Sequence, residues 1–324
     1  MRRLIGPGLV GLGVFLIVAA GLARFYAYPA LAKTPTNYES TTLLEADGAE
    51  IFNSDPEVLE SEVHDLAIES YTVADSGAEA PEGVDVWVNS TTVTRTVDGS
   101  VFQQTRERVA FDEVSGAADN CEECDTWEAV SAEEEAPVER EGQLYKFPFD
   151  TEKKDYLVWD GNVEEAVPAT FEGEEELHGM TVYKFVQQIE PTVIETREVP
   201  GSVFGSDEPS VDADMVYGMT RTFYIEPTTG SPVDRVEERT QELSYNGVDV
   251  QAFTGTVQYT DEQVETSVDD VKTKATLLGA LQLLAPLALL VIGLGALAAG
   301  LVLNRRNTRD DASVDKKDRP LVTA

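Results

Sequence analysis

The sequence predicts a mainly β ectodomain of curved antiparallel sheets, with two similar halves as one option, held between an N- and a C-terminal transmembrane helix. Three observations lead there. The run Ala275 to Leu303 is uncharged over 29 residues, and a bilayer core needs only about 20 apolar residues of helix. A second uncharged run, Leu4 to Ala23, lies near the start. Between them the chain is a succession of β-branched and aromatic stretches broken by turn residues, with little helical periodicity.

The expected segments are a short cytoplasmic stretch (1–3), a first span (4–26), an extracytoplasmic β-rich domain (33–270), a second span (275–303) and a cytoplasmic tail (304–324). Arg2 and Arg3 precede the first span, and Arg305, Arg306 and Arg309 follow the second, so both termini are expected in the cytoplasm of a multi-pass plasma-membrane protein. Ala30-Leu31-Ala32 would also suit cleavage of a signal peptide. The length of the apolar run, with Arg24 and the aromatics Phe25, Tyr26 and Tyr28 at an interfacial belt, favours an uncleaved anchor instead. Gly6, Gly8, Gly11 and Gly13 on the first helix, with Gly293, Gly295 and Ala299 on the second, offer small-residue faces for close helix packing or oligomer formation.

Within the ectodomain, Val84 to Thr96 and Val101 to Val114 flank Asp98-Gly99 as a hairpin. Thr181 to Ile189, Thr220 to Ile225, Val233 to Tyr245 and Val250 to Tyr259 are further strands. Asp261 to Thr273 reads as a helix leading into the second span. Asp75 to Pro81, Ala117 to Glu141 and Val199 to Asp214 read as acidic loops. Gly99 to Gly116 and Gly230 to Gly247 share five of 18 positions, which would fit a repeated hairpin unit.

From Arg24 to the second span the chain carries 16 basic and 56 acidic side chains. A net charge near −40 repels nucleic acid and anionic lipid surfaces, so neither is an expected partner. So acidic and lysine-poor a surface also suits concentrated salt, and a halophilic setting is the expectation. An acidic genomic bias is the alternative.

Cys121 and Cys124 form the chain's only Cys-x-x-Cys. Outside the cell a local disulfide is the expected state. Metal binding would need further ligands, and His64 and His178 are distant in sequence. Redox chemistry would need a more electropositive setting than DNCEECDTW. Asn89-Ser90-Thr91 is a possible glycosylation site. No phosphate loop, nucleophile elbow or zinc helix is present, so no catalytic, cofactor-binding or metal residue is assigned and the chain is expected not to be an enzyme.

The most distinctive stretch is Leu144 to Asp160, LYKFPFDTEKKDYLVWD. Lys146, Phe147, Phe149, Lys153, Lys154, Tyr156 and Trp159 make it either a ligand or partner site or a core-packing loop that crosses the sheet. Its KFPFDTEKK segment, with Tyr156, Trp159 and Asp160 behind it, the terminal spans and YIEPTTGSPV at Tyr224 to Val233, resembles the PorA-type porin family, a domain of unknown function. The resemblance spans nearly the whole chain. It implies a two-span architecture and no established activity, so no functional residues carry over.

A membrane barrel needs a continuous apolar row facing lipid. In Val101 to Phe111 one face carries Gln103, Thr105 and Glu107 and the other Gln104, Arg106 and Arg108. Neither face suits lipid, so a pore would have to come from assembled helices. The expected role is a non-enzymatic binding module for a lipid or other hydrophobic or envelope component. A structural or assembly protein of the envelope is the alternative, ahead of a pore or an envelope enzyme.

The charge makes one prediction. Neighbouring surface carboxylates feel one another across a Debye length of about 10 Å at 0.1 M salt but only about 3 Å at 1 M. The thermal midpoint of the β domain should therefore rise between about 0.1 M and 3 M potassium chloride. A flat midpoint would show the carboxylates to be locally compensated.

Overall fold

The computed structural model describes residues 2–53 and 58–317, with side chains described for 4–53 and 58–306. The side chains of Arg2, Arg3 and Arg309 lie outside that set. The chain divides into a helical unit, residues 1–32 and 276–324, and a β unit, 33–275. Each is described by itself.

In the helical unit, α1 (Arg2–Leu22) passes through a π-turn (Ala23–Ala27) into α2 (Tyr28–Leu31). The second arm begins with the end of α3 (Asp261–Gly279), whose residues 261–275 belong to the β unit, and passes through a π-turn (Ala280–Leu284) into α4 (Ala285–Lys317). Both arms contain a helix long and apolar enough to cross a membrane. In each, a proline follows the π-turn at the second residue, Pro29 and Pro286. A proline inside a helix removes one N–H, and the wider turn takes up the local break in the ladder.

The two helices are antiparallel and meet at glycines seven residues apart on each. A Cβ on Gly6 would lie 3.4 Å from the Gly300 carbonyl oxygen, and one on Gly13 would lie 2.7 Å from that of Gly293. Backbone thus touches backbone, which only glycine permits. Gly8, Gly11 and Gly295, also expected to serve packing, would meet nothing within 4 Å among the described residues. Antiparallel pairing puts the N-terminus of α1 and the end of the second span on the same side.

The β unit contains β1 (Glu39–Asn53), β2 (Glu60–Ala74), β3 (Val84–Arg95), β4 (Val101–Asp112), β5 (Trp127–Ala129), β6 (Glu135–Pro137), β7 (Tyr156–Asp160), β8 (Glu165–Leu177), β9 (Met180–Pro200), β10 (Ser210–Glu226), β11 (Ser231–Tyr245) and β12 (Val248–Tyr259). They form one antiparallel sheet in the order β6-β5-β4-β3-β2-β1-β12-β11-β10-β9-β8-β7. The mostly antiparallel β fold between apolar helices is therefore as the sequence predicts. Two six-stranded meanders meet at the β1–β12 seam. The two similar segments do not occupy equivalent places in them. β4 is fourth from the seam and β11 second, so the repeat is not carried by the sheet.

The turns follow their chemistry. Asn246-Gly247 joins β11 to β12 with both residues at positive φ, and His178-Gly179 joins β8 to β9 in the same way. These are the two-residue connections whose twist matches the strands.

The ladder is open, but backbone hydrogen bonds bridge its two sides. Asp112 N donates to Ala117 O, Ala118 N to Gly142 O, Gln143 N to Leu157 O, and Trp159 N to Gln143 O. Residues 117–118 and 142–144 thus connect β4 to β7.

One face of the sheet is buried. On β10 it carries Val211, Ala213, Met215, Tyr217, Met219, Phe223 and Ile225. The opposite face carries Asp212, Asp214, Thr220 and Thr222 at alternating positions, as strand geometry requires. The outward faces of β8 and β9 bear Glu172, Glu175, Gln188 and Glu190, all exposed. At one end of this outer face Met180, Val182 and Val233 are covered by Val268 and Val271 of α3; elsewhere among the described residues it is polar, so it does not suit lipid contact.

The glycine contacts can be tested. A Cβ on Gly13 would fall 2.6 Å from the Leu297 amide nitrogen. Gly13→Val should force the helices apart and lower the midpoint of the detergent-solubilised protein, whereas Gly11→Val, which meets open space, should leave it unchanged.

Candidate functional site

The segment singled out by the sequence crosses the buried face. Leu144 and Tyr145 pack with Trp87, Val109 and Phe111 of β3 and β4. Two residues on, Phe147 packs with Phe185 and Phe223 of β9 and β10, at ring-centroid distances of 4.7 and 5.6 Å. Tyr156 joins the same cluster, 5.3 Å from Phe147. Phe147 N donates to Gly230 O, and Asp150 and Thr151 donate to Thr228 O and Pro227 O. Gly230 has φ +71, and a Cβ there would fall 2.0 Å from the Phe147 carbonyl oxygen. The EPTTGSP turn therefore needs glycine where the crossing segment rests on it.

The other residues of the expected site do not converge. The Lys146 ammonium is buried, donates to Val114 O and lies 4.0 Å from the Phe149 ring centroid. Lys153 pairs with Glu174 at 2.8 Å and Lys154 with Glu152, both in the open. Trp159 is half-buried and its indole N–H has no hydrogen-bond partner among the described residues. Phe147 and Tyr156 are thus brought together as core, while Lys153 and Lys154 stand outside it.

Cys121 and Cys124 are joined by a disulfide. It packs with Val86, Ala110 and Ala78, and Arg108 Nε donates to Cys124 O. The position of Asn89 speaks against the glycosylation that its sequon makes possible. Asn89 is 6 % exposed, and its amide nitrogen donates to Ser70 Oγ, Thr72 Oγ1 and Tyr71 O. A nitrogen so used inside the sheet has no room for a glycan.

Sequence reasoning missed the polar groups of the same buried face. Arg221 of β10 reaches three other strands. Its Nε lies 2.7 Å from Glu237 Oε1, its Nη2 3.0 Å from Asp160 Oδ2, and its Nη1 donates to Gln187 Oε1 at 2.9 Å. Gln187 can accept there because its amide nitrogen is committed to Val158 O and Val167 O. Arg239 and Arg235 also contact Glu237, at 2.7 and 3.2 Å. Burial opposes the Glu237 charge, but the guanidiniums of Arg221, Arg235 and Arg239 outweigh it and hold the carboxyl far below its ordinary range.

A second cluster centres on Arg140, 2 % exposed. It pairs with Glu107 at 3.1 Å and Glu128 at 2.7 Å, and Tyr145 Oη donates to Glu107. Burial raises the Glu128 carboxyl, with Arg140 opposing. Four arginines scattered along the sequence gave no spacing signal. Only the register across strands shows that they converge.

Near the crossing segment, burial pulls Lys146 down to about 7, against the attraction of Asp112 and Asp85. Burial pushes Asp85 up to about 6, with Glu113 adding to it. Among the described residues no group of three or more His, Cys, Asp or Glu side chains is placed to hold a metal ion.

The family model of porin PorA matches residues 5–302. The chain belongs to the porin PorA family. The match takes in the whole sheet and nearly all of both spans. No curated protein matches the chain. The PorA-family assignment agrees with the resemblance read from KFPFDTEKK, and the structure adds that in this PorA-family chain the segment lines the core.

Two pH effects follow. The folded Glu237 carboxyl titrates below its ordinary 4.5, so its contribution is present above that pH and is lost as pH falls. Glu237→Gln, which leaves buried guanidiniums facing an amide, should cost about 3–5 kcal/mol and flatten this acid limb. Lys146 titrates lower folded than unfolded, so the folded state binds fewer protons between about 7 and 10.5. Stability should rise with pH across that window, and Lys146→Met should remove the rise. Denaturant midpoints against pH measure both.

Proposed function

We propose that this PorA-family chain is a doubly anchored, non-enzymatic envelope protein whose β domain works through its outer surface, as a structural or assembly module. The occupancy of the inner face supports this reading most. A carrier of a hydrophobic component needs an apolar concavity. Here the corresponding face holds the Phe147–Phe185–Phe223 cluster and the Arg221 and Arg140 ion clusters. A lipid chain there would displace aromatic packing and strip buried charges of their partners.

The porin name of the family bears on the helices. The polar outer face of the sheet is unsuited to lipid, so a pore would be built by several glycine-paired helix pairs around a common axis.

The proposed orientation places both termini in the cytoplasm and residues 33–274 outside. Arg305 and Arg306 end the second span, and the antiparallel pairing brings the N-terminal end to the same side.

Two measurements test the proposal. Protease added to intact cells should digest residues 33–274 and spare both ends. Mass spectrometry of the protein purified in detergent should find no stoichiometric lipid in the β domain. Protection of the acidic domain would overturn the orientation, and a tightly held lipid would restore the carrier reading.

A further inference from the structure

The outer face of β9, β10, β11 and β12 contains a recess of about 430 Å³. Its floor is regular. Strand register sets Gln188, Thr220, Glu238 and Thr256 side by side as one cross-strand row. The next row runs Gly218, Thr240 and Thr254. Neighbouring strands lie about 4.8 Å apart, so these polar groups form a lattice with that repeat.

The hollow has a cause in the sequence. Gly218 leaves its lattice point empty, and a Cβ there would lie 3.1 Å from Thr240 Oγ1 and 3.4 Å from the Pro191 ring. A register shift between β10 and β9, between Tyr217 and Met219, carries Glu190 and Pro191 to the rim. Any larger residue at 218 would fill the space.

The lattice is also largely unspent. Thr240 Oγ1 donates to Gly218 O and Gln188 donates to Glu190. The hydroxyls of Thr220, Thr254 and Thr256 and the Glu238 carboxylate have no hydrogen bond or ion pair among the described residues. The nearest cation in sequence is Arg239, but its guanidinium is turned through the sheet to Glu237. The recess therefore offers hydroxyls, a carboxamide and two carboxylates, with no free positive charge.

Such a lining selects by chemistry. Phosphates, sulfates and acidic lipid headgroups are repelled by Glu190 and Glu238. An apolar ligand would leave the Thr220, Thr256 and Glu238 groups dehydrated without replacement bonds. A neutral polyhydroxylated chain suits it, since each sugar hydroxyl can both donate and accept. Carboxylates take donated bonds from such hydroxyls, and the threonines can do either. We infer that the recess over β9 to β12 binds a neutral glycan, laid across the strands along the Gln188–Thr256 row. This deepens the outer-surface reading proposed above and rests on it.

The test uses full-length protein in a detergent without a sugar headgroup. Linear neutral hexasaccharides of glucose and of mannose are titrated while the threonine methyl resonances are followed. Binding of at least one should move the methyls of Thr220, Thr240, Thr254 and Thr256 and spare threonines elsewhere. The double variant Thr220→Val/Thr256→Val keeps shape and removes two hydroxyls, and should weaken binding by about tenfold or more. Should that variant not fold, Glu238→Gln keeps shape and removes a charged acceptor, and should also weaken binding.

Failure of both sugars to bind the folded wild-type protein overturns the inference, as does binding that the folded variants leave unchanged. Binding of a lysine-rich peptide at these methyls in place of the sugars also overturns it, because the carboxylates would then be serving a cation. Each of these failures leaves the outer-surface reading standing. That reading falls instead if stoichiometric lipid is found in the β domain.

Discussion

The hydrogen bonds that pass from β4 through residues 117–118 and 142–144 to β7 govern the rest of the β domain. A sheet whose end strands stayed apart would leave rows of unpaired N–H and C=O groups, and would leave its apolar face open to water. The connecting chain pairs with parts of β4 and β7 and lays apolar side chains over the buried face. Gln143 supplies the pairing, and the residues just after it supply Tyr145 and Phe147 to the two aromatic clusters on the buried face. Pro148 then turns the chain, and Asp150 and Thr151 dock on the β10–β11 turn. One stretch of about ten residues is therefore both backbone partner and core.

Much of this was legible in the sequence. Twofold alternation gave β3, β4 and the cores of β9 to β12, because apolar and polar residues there take opposite faces. The two spans were legible from length and hydropathy alone. The strand β8 was hidden by composition, since Phe171-Glu-Gly-Glu-Glu-Glu-Leu177 looks like an acidic loop. It is a strand because Phe171 and Ala169 face inward, and the glutamates that follow alternate between the two faces where both reach solvent. Part of the acidic stretch Val199 to Asp214 is strand for a similar reason, with Val211 and Ala213 buried. The ion clusters were not legible at all, because Asp160, Gln187, Arg221 and Glu237 meet only through register.

The charge of the domain looks different once the sites of its cations are known. Arg140, Arg221, Arg235, Arg239 and Lys146 are directed to internal partners or carbonyls. Glu107, Glu128, Asp160 and Glu237 are taken inside with them, so the rest of the surface keeps the strong negative balance of the composition. Lys153, Lys154 and Lys184 offset it locally, each beside a glutamate. A lattice of threonines on such a surface is accordingly set in a negative field.

Arg221 has a consequence for how the domain comes apart. Its partners sit on β7, β9 and β11, and it belongs to β10. Peeling away any one of those strands would leave a guanidinium or a carboxylate in a low-dielectric interior without its counterpart. Partial opening from the β7 side therefore has no inexpensive intermediate, and the strands from β7 to β11 hold or release as a single cooperative block. A chain with shorter-range pairings could fray strand by strand. This one is wired against it.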